Sequence, residues 1–456
     1  MTIGKAQELL SYASFLVCFV LGNFENVTSN LNTGHPKQSL VSHVSHHSAA
    51  LRPEPVLMVA ACPFPCRRGT PIRIERLAET IARSGRKVHV VSYHYGEDGP
   101  AGPFASDCDA EPGYELHRIP NVPGRWNPAP GPGLGKALML NPLLLMKVAQ
   151  VIRQQEIRLL HCHHYEALLI GLTLRKFFPV SVVYDAHTLL GDELAYYVPA
   201  AFEAPIAKFG AYLDRTFPKR ADHVIPVTED IYDTLIDHAG EGEKMTIIGN
   251  GIEEASIAAF SSKMDPVVRG RVVYAGNLAA YQGIDLLLEA FARVTTKHSD
   301  ATLEFVSAKP FEAVESMACA LGIGDRVSFV DSEGADLPHK LCSADVLVNP
   351  RIKCPGYPLK LLNYMAAGRP IVSFKSSGKN LRDGVDASVV PDGDVAAFAD
   401  AIQNVLSNPQ EGDRLGKSAR DTAFRHYSWD AIAQRVDDAY EKAMEIRFAN
   451  VEQMQT

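Results

Sequence analysis

The sequence predicts an α/β protein of two doubly wound, Rossmann-like domains in tandem. From Pro55 onward short β-rich runs alternate with amphipathic stretches, the pattern of βαβ units and parallel sheets. The same alternation starts again at Arg271 as a second series. A chain of 456 residues has room for two or three domains at about 100–200 residues each, and 46% hydrophobic with 21% charged residues fits a large soluble core.

The first series opens with PVLMVA as a buried strand. The loop ACPFPCRRGTP and the helix IRIERLAETIARSG follow, with Gly85 placed to end the helix. KVHVVSYH is the next strand. Gly96 to Gly135 is rich in Pro and Gly and reads as a surface loop around a short strand, YELHRIP. RLLHCHH, VSVVYDAH and HVIPVT are further strands, and MTIIGNGI closes the block. In the second series RVVYAG, ATLEFVSA, RVSFVD, DVLVNP, RPIVSF and ASVVP read as six strands. DVAAFADAIQNVLS has apolar residues at helical spacing, and the C-terminal stretch is helical.

The expected division is an N-terminal extension 1–52, domains 53–252 and 253–430, and a C-terminal helix and tail 431–456 packing back toward the first domain. In the extension Leu9 to Gly22 is apolar but shorter than the ~20 residues of a spanning helix. Only Lys5 precedes it and no A-x-A site follows, so a disordered or weakly membrane-associating lead-in is expected. His43, His46 and His47 read as a solvated tail. With 45 basic and 53 acidic residues the net charge is −8, which excludes a general grip on nucleic acid. The eight Cys lack CxxC spacing and read as structural thiols of a cytoplasmic protein.

Open α/β sheets bind ligands outside the carboxyl ends of their strands, so the expected site is the cleft between the two domains. The stretch PGYPLKLLNYMAAGRPIVSF, Pro355 to Phe374, supplies a loop, a short helix and a strand there. The first helical turn contains Lys360 and no acidic residue, where the helix dipole favours negative charge. Leu359, Leu362 and Ala366 share the inward face by spacing; Lys360, Asn363 and Ala367 share the other. Gly356 frees the backbone, Pro358 fixes the entry, and Gly368 with Pro370 ends the helix. Free N–H groups plus Lys360 make an anion site, most naturally for phosphate; the alternative is a surface lysine at a helix start. His161 and His163 alternate on one strand face with no further Cys/His pair at ligand spacing, so no metal is expected. No GxGxxG follows any strand, which disfavours a nicotinamide enzyme.

Taken together, GYPLKLLNYMAAGRPIV, VVYAGNLAAYQGIDLLLEAFARV, MTIIGNGI and the Gly69 loop resemble the GT-B glycosyltransferases of family 4, over Pro55 to Ala443. The resemblance implies two Rossmann-like domains facing across a cleft. It implies a retaining hexosyl transfer from a nucleotide diphosphate sugar to a glycan or lipid-linked acceptor, in surface polysaccharide or glycolipid synthesis. No cofactor and no divalent metal is implied, because protein cations and helix dipoles take up the diphosphate charge. The donor side would comprise Gly69, Thr70, Asn277, Gln282, Gly356, Tyr357, Pro358, Leu359, Lys360 and Asn363. His187 matches a family histidine that reaches the transferred sugar, with Asp185 facing the same side, and Lys360 shares the catalytic role. His163, His164 and Glu166 would border the acceptor, with Glu193 nearby. The family's E-x7-E pair falls on Pro355 and Asn363, and Asn277 and Gln282 stand where the family has cations; Arg67 and Arg68 adjoin the same cleft. These departures leave open a catalytically weak or inactive binder of nucleotide sugar or glycan. A peripheral contact at the inner face of the membrane, with Arg125 and Trp126 as a surface, is the remaining expectation.

Overall fold

The computed structural model describes residues 53–66, 69–96, 113–123, 136–194, 200–239, 242–252, 257–260, 266–309, 311–331, 336–352, 360–379 and 381–453. The N-terminal extension, Arg67, Arg68, Arg125, Trp126 and Pro355 to Leu359 therefore lie outside the described residues. The chain divides into two compact units. One holds the described residues up to Val224 and those from Tyr440 on; the other runs from Ile225 to Ala439.

The first sheet contains β1 (Val56–Ala60), β2 (Val88–Ser92), β3 (Glu115–Arg118), β4 (Leu159–His163), β5 (Ser181–Ala186) and β6 (His223–Pro226), ordered β3-β2-β1-β4-β5-β6. The second contains β7 (Arg271–Ala275), β8 (Thr302–Ser307), β9 (Val327–Asp331), β10 (Val346–Asn349), β11 (Ile371–Phe374) and β12 (Ser388–Val390), ordered β12-β11-β10-β7-β8-β9. All twelve fall on the runs read as strands. Read from the β9 edge, the second order repeats the first. The central registers are parallel, β1 with β2 and β4, β7 with β8 and β10. In both sheets the winding direction reverses beside the starting strand, between β1 and β4 and between β7 and β10. Loops leaving the carboxyl ends diverge there and open a crevice.

Every residue of β1, β2, β4 and β5 is buried, as expected of parallel strands covered by helices on both faces. In the second unit one face of the sheet packs around Phe291, Phe305, Phe374 and Phe398, the other around Tyr364, Met365, Phe260 and Tyr427. The last helix, Trp429–Gln453, returns residues to the first unit: Tyr440 OH lies 2.8 Å from His161 Nδ1, and Ser181 Oγ donates to the Ala443 carbonyl at 3.0 Å. No helix among the described residues is long and apolar enough to cross a membrane. The described cysteines are free thiols.

The helix Lys360–Ala367 ends at Gly368, whose φ of +67° is the left-handed conformation favoured by glycine. The helix Pro409–His426 crosses this turn at Gly416, where an added Cβ would collide with the Gly368 carbonyl oxygen. Both colliding groups are backbone, so relief requires the helix itself to move. Gly416→Ala is expected to lower the unfolding free energy by about 1–3 kcal/mol, read as a lower urea midpoint at unchanged m-value.

Candidate active site

In the second unit the reversal point is built from the turns after β7 and β10. Gly283 enters the helix Ile284–Lys297 at φ +70°, and a Cβ there would collide with the Pro350 carbonyl oxygen, so glycine lets the two turns pack together. Lys360 opens its helix with no acidic residue in the first turn. Its Nζ donates to Gln282 Oε1 at 3.1 Å and lies 4.6 Å above the Tyr274 ring centroid. Gln282 Nε2 donates to Asn277 Oδ1 at 3.3 Å, and Asn277 Nδ2 to the Tyr281 hydroxyl at 3.2 Å. The Arg351 guanidinium stacks 4.8 Å over the Tyr281 ring. Tyr364 accepts from the Ala275 N–H at 2.7 Å and donates to its carbonyl at 3.1 Å, so helix and strand end are fastened directly.

The structure thus brings Asn277, Gln282 and Lys360 into one network. Asn363 sits one turn beyond Lys360, half-buried, with no side-chain hydrogen bond among the described residues. Gly356, Tyr357, Pro358 and Leu359 lie outside the described residues. One expectation needs correction: Ala367 is buried, as are Leu361, Leu362, Tyr364, Met365 and Ala366. This short helix lies between the sheet and the helix Pro409–His426 and has no broad solvent face, so only Lys360 and Asn363 reach outward. Tyr274, Tyr281 and Arg351 were not anticipated, although Tyr274 lies in β7 and Arg351 just past β10, where the strand-end rule directs attention.

In the first unit Gly69 and Thr70 begin the helix Gly69–Arg83, again with no acidic residue in the first turn. Gly69 is exposed, and nothing stands within 4 Å of where its Cβ would be. One turn along, buried Arg73 grips Asp185 at the end of β5, Nε to Oδ2 at 3.0 Å and Nη2 to Oδ1 at 3.3 Å. Around the same carboxylate stand His161 Nε2 at 3.4 Å, His163 Nδ1 at 3.5 Å and His187 Nε2 at 3.9 Å. His163 Nδ1 and His187 Nε2 are 3.3 Å apart. His164 follows β4 at φ +71°, a strained conformation for a side chain with a Cβ, and its ring centroid lies 5.2 Å from that of His187. Glu193 accepts from Thr188 Oγ1 at 2.7 Å and acts electrostatically on His164. Burial lowers the pKa of Lys136, and Glu166 opposes this most. The candidates His163, His164 and His187 are therefore gathered at one strand edge, and Arg73, Lys136 and Tyr440 join them unanticipated. No local sequence signal marks Arg73 or Tyr440, which arrive from distant elements.

Burial works against the charge on Asp185, but Arg73, then His187 and the other histidines hold its pKa well below the ordinary carboxylate range. Burial is also the main effect on His187, pushing it from 6.5 to about 3, with only partial compensation from Asp185. His187 is therefore a neutral imidazole at physiological pH, able to donate from one nitrogen and accept at the other. His161, His163 and Asp185 offer three ligand atoms close together. The same carboxylate is already engaged by the buried guanidinium of Arg73 at both oxygens.

Two sheets of one doubly wound order, each with polar groups at its reversal point, define the GT-B class of glycosyltransferase fold. Residues 67–256 match the model of Glycosyltransferase Family 4, and residues 269–408 that of Glycosyl transferases group 1. The chain belongs to this family and is a nucleotide-sugar-dependent glycosyltransferase. It is 26% identical to a D-inositol 3-phosphate glycosyltransferase of Corynebacterium kroppenstedtii, over 63% of this chain and 67% of the relative. A protein of that name from Saccharomonospora viridis is 25% identical over 82% and 89%. Among solved structures, the sucrose-phosphate synthase of Thermosynechococcus elongatus superposes with TM-score 0.61 at 20% identity, over 86% of this chain and 99% of that one. The Anabaena protein HepE in complex with UDP gives 0.59 at 18%, over 84% and 98%.

Between pH 6.5 and about 3 the unfolded chain binds a proton at His187 that the folded chain does not, so stability falls as pH falls through this window. Asp185, held well below the ordinary carboxylate range, adds to the slope only below about pH 5, where the unfolded carboxylate begins to bind protons, so the upper part of the window isolates the histidine. His187→Gln is expected to flatten the dependence between pH 6.5 and 5 by up to about 1.4 kcal/mol per pH unit, measured as urea midpoints across pH.

Proposed function

We propose that this protein is a retaining hexosyltransferase that moves a sugar from a nucleoside diphosphate donor to a glycan or lipid-linked acceptor without a divalent metal. The observation that carries this reading is the arrangement of Lys360 and Arg351 around Tyr274 and Tyr281 at the β7/β10 reversal point. A departing diphosphate needs its negative charge met as it develops. Lys360 stands at a helix start whose dipole has the same sign, and Arg351 supplies a second, planar cation. Neutral Asn277 and Gln282, in place of the family's cations, then act as the polar rack that aims Lys360. Asn363 takes the place of the ribose-binding carboxylate, with an amide that both donates and accepts. On the first unit, Gly69 and Thr70 admit a donor phosphate to a helix N-terminus, and neutral His187 hydrogen-bonds the transferred sugar, steadied through Asp185 by Arg73.

Support for the donor class comes from HepE, solved with UDP and with UDP-glucose. For the acceptor, the D-inositol 3-phosphate glycosyltransferases among the relatives favour a small hydroxylated or phosphorylated head group in glycolipid or surface polysaccharide synthesis. We place the work in the cytoplasm, at the inner face of the membrane where such acceptors reside.

The first test is a hydrolysis and transfer screen over UDP-, GDP- and ADP-hexoses with inositol phosphate and lipid-linked acceptors. Turnover with one donor is expected; nucleotide binding with no turnover would assign a binding role instead. Lys360→Ala is expected to weaken donor diphosphate binding by about tenfold or more, near 1.4 kcal/mol, in calorimetric titration. His187→Ala should lower kcat far more than donor affinity, and equal losses in both would reduce His187 to a folding role.

A further inference from the structure

A second polar cluster in the first unit takes no part in the reading above. It lies on β2 and the edge strand β3, whereas His163 ends β4 and His187 follows β5. His89 in β2 pairs in register with Glu115 in β3, and His117 follows two residues on, so all three side chains share one face of the sheet. His89 Nδ1 is 3.1 Å from His117 Nε2 and 3.3 Å from Glu115 Oε2, and His117 Nε2 is 3.5 Å from Glu115 Oε1. A tetrahedral zinc, with bonds of about 2.0–2.2 Å to nitrogen and oxygen, separates its ligand atoms by roughly 3.3–3.5 Å. The contacts here, made with different oxygens of Glu115, lie close to that spacing, and one ligand atom from each residue lies within 4.8 Å of the other two.

The chemistry points the same way. Glu115 presents only lone pairs, and of the two facing imidazole nitrogens one must present a lone pair to the other. The cluster holds more acceptors than protons, a deficit a cation fills. Lys87 does not fill it, because its Nζ donates to Gln155 Oε1 at 2.9 Å. Among the described residues no buried arginine grips this carboxylate, in contrast to Asp185. His89 is buried while Glu115 is half exposed, so an ion has both a fixed ligand and a route in. Imidazole with carboxylate suits zinc and its neighbours rather than calcium or magnesium.

We propose that His89, Glu115 and His117 form a binding site for a zinc-like divalent metal that pins β3 to β2. β3 is a four-residue edge strand with β2 as its one neighbour in the sheet. A metal bound by both strands adds a cross-link that only the folded state possesses. A metal that joins two neighbouring strands in this way has a structural role.

The test uses the full chain, stripped with a chelator, dialysed, and titrated calorimetrically with Zn²⁺, with Co²⁺ as a spectroscopic reporter of tetrahedral geometry. The variants are His117→Gln and Glu115→Gln, since replacing buried His89 risks the fold. The wild type should bind one Zn²⁺ more than His117→Gln, show the intense visible absorption of tetrahedral Co²⁺, and melt at a higher temperature with Zn²⁺ than without it. His117→Gln should lose all three, and Glu115→Gln should bind about tenfold more weakly or worse. Failure of the wild type to bind Zn²⁺ would overturn the proposal. So would equal stoichiometry and equal zinc-dependent melting in wild type and His117→Gln, which would locate the metal elsewhere.

Discussion

Parallel pairing is the constraint on which the rest of this structure depends. A strand can run parallel to its neighbour only if the chain crosses back over the sheet, and here helices make most of those crossings. Every strand therefore delivers its next loop to one edge of its sheet. Because each chain half starts at the centre and winds outward first to one side and then to the other, two adjacent loops turn away from each other. Asn277 to Gln282 and Pro350 to Ile352 belong to those two loops in the second unit. Gly69 and His164 occupy the matching places in the first. Polar and charged side chains gather there because all other parts of the central strands are covered by apolar helices.

Burying charge is costly, and the first unit meets that cost by enclosure. Arg73 and Asp185 are both removed from water, which neither could bear alone, and two hydrogen bonds hold them in a fixed plane. The carboxylate then serves three imidazoles without becoming protonated. Their own desolvation keeps them neutral, so the cluster offers directional hydrogen bonds and no net positive field. The second unit has the opposite character. Lys360 and Arg351 each rest on the face of a tyrosine ring, a contact that orients a cation without neutralising it. One unit presents neutral hydrogen-bonding groups, the other basic side chains stacked on aromatic rings.

Most of the architecture was legible because it rests on local signals. The strand runs are short, rich in Val and Ile, and closed by Gly or Pro, so twelve strands could be placed from pattern alone. The placement of the candidates was legible where it depends on strand and helix ends: Lys360 opens its helix, His163 ends β4 and His187 follows β5, while the roles expected of the two histidines came from the family resemblance. What pattern could not supply is the meeting of distant elements. Arg73 belongs to an amphipathic helix in which it looks like a surface residue, yet it reaches across to Asp185. Ala367 looked solvent-facing by helical spacing and is buried, because a second helix covers a face that spacing assigns to water. Asn277 and Gln282 looked like losses of charge. Their hydrogen bonds link them to Tyr281 and Lys360, a connection that becomes visible only when the residues are seen together.

Tyr440 gives the arrangement a temporal dimension. Its hydroxyl is the group beside His161 Nδ1, in the polar cluster beneath His187, and it is contributed by the helix Trp429–Gln453. Synthesis on the ribosome makes β1 to β5 first and this tyrosine only after the entire second sheet has emerged. Until then His161 must do without its hydroxyl neighbour, and the polar cluster is left unfinished. The polar cluster of the first unit is thus completed only by the last helix of the chain to be made.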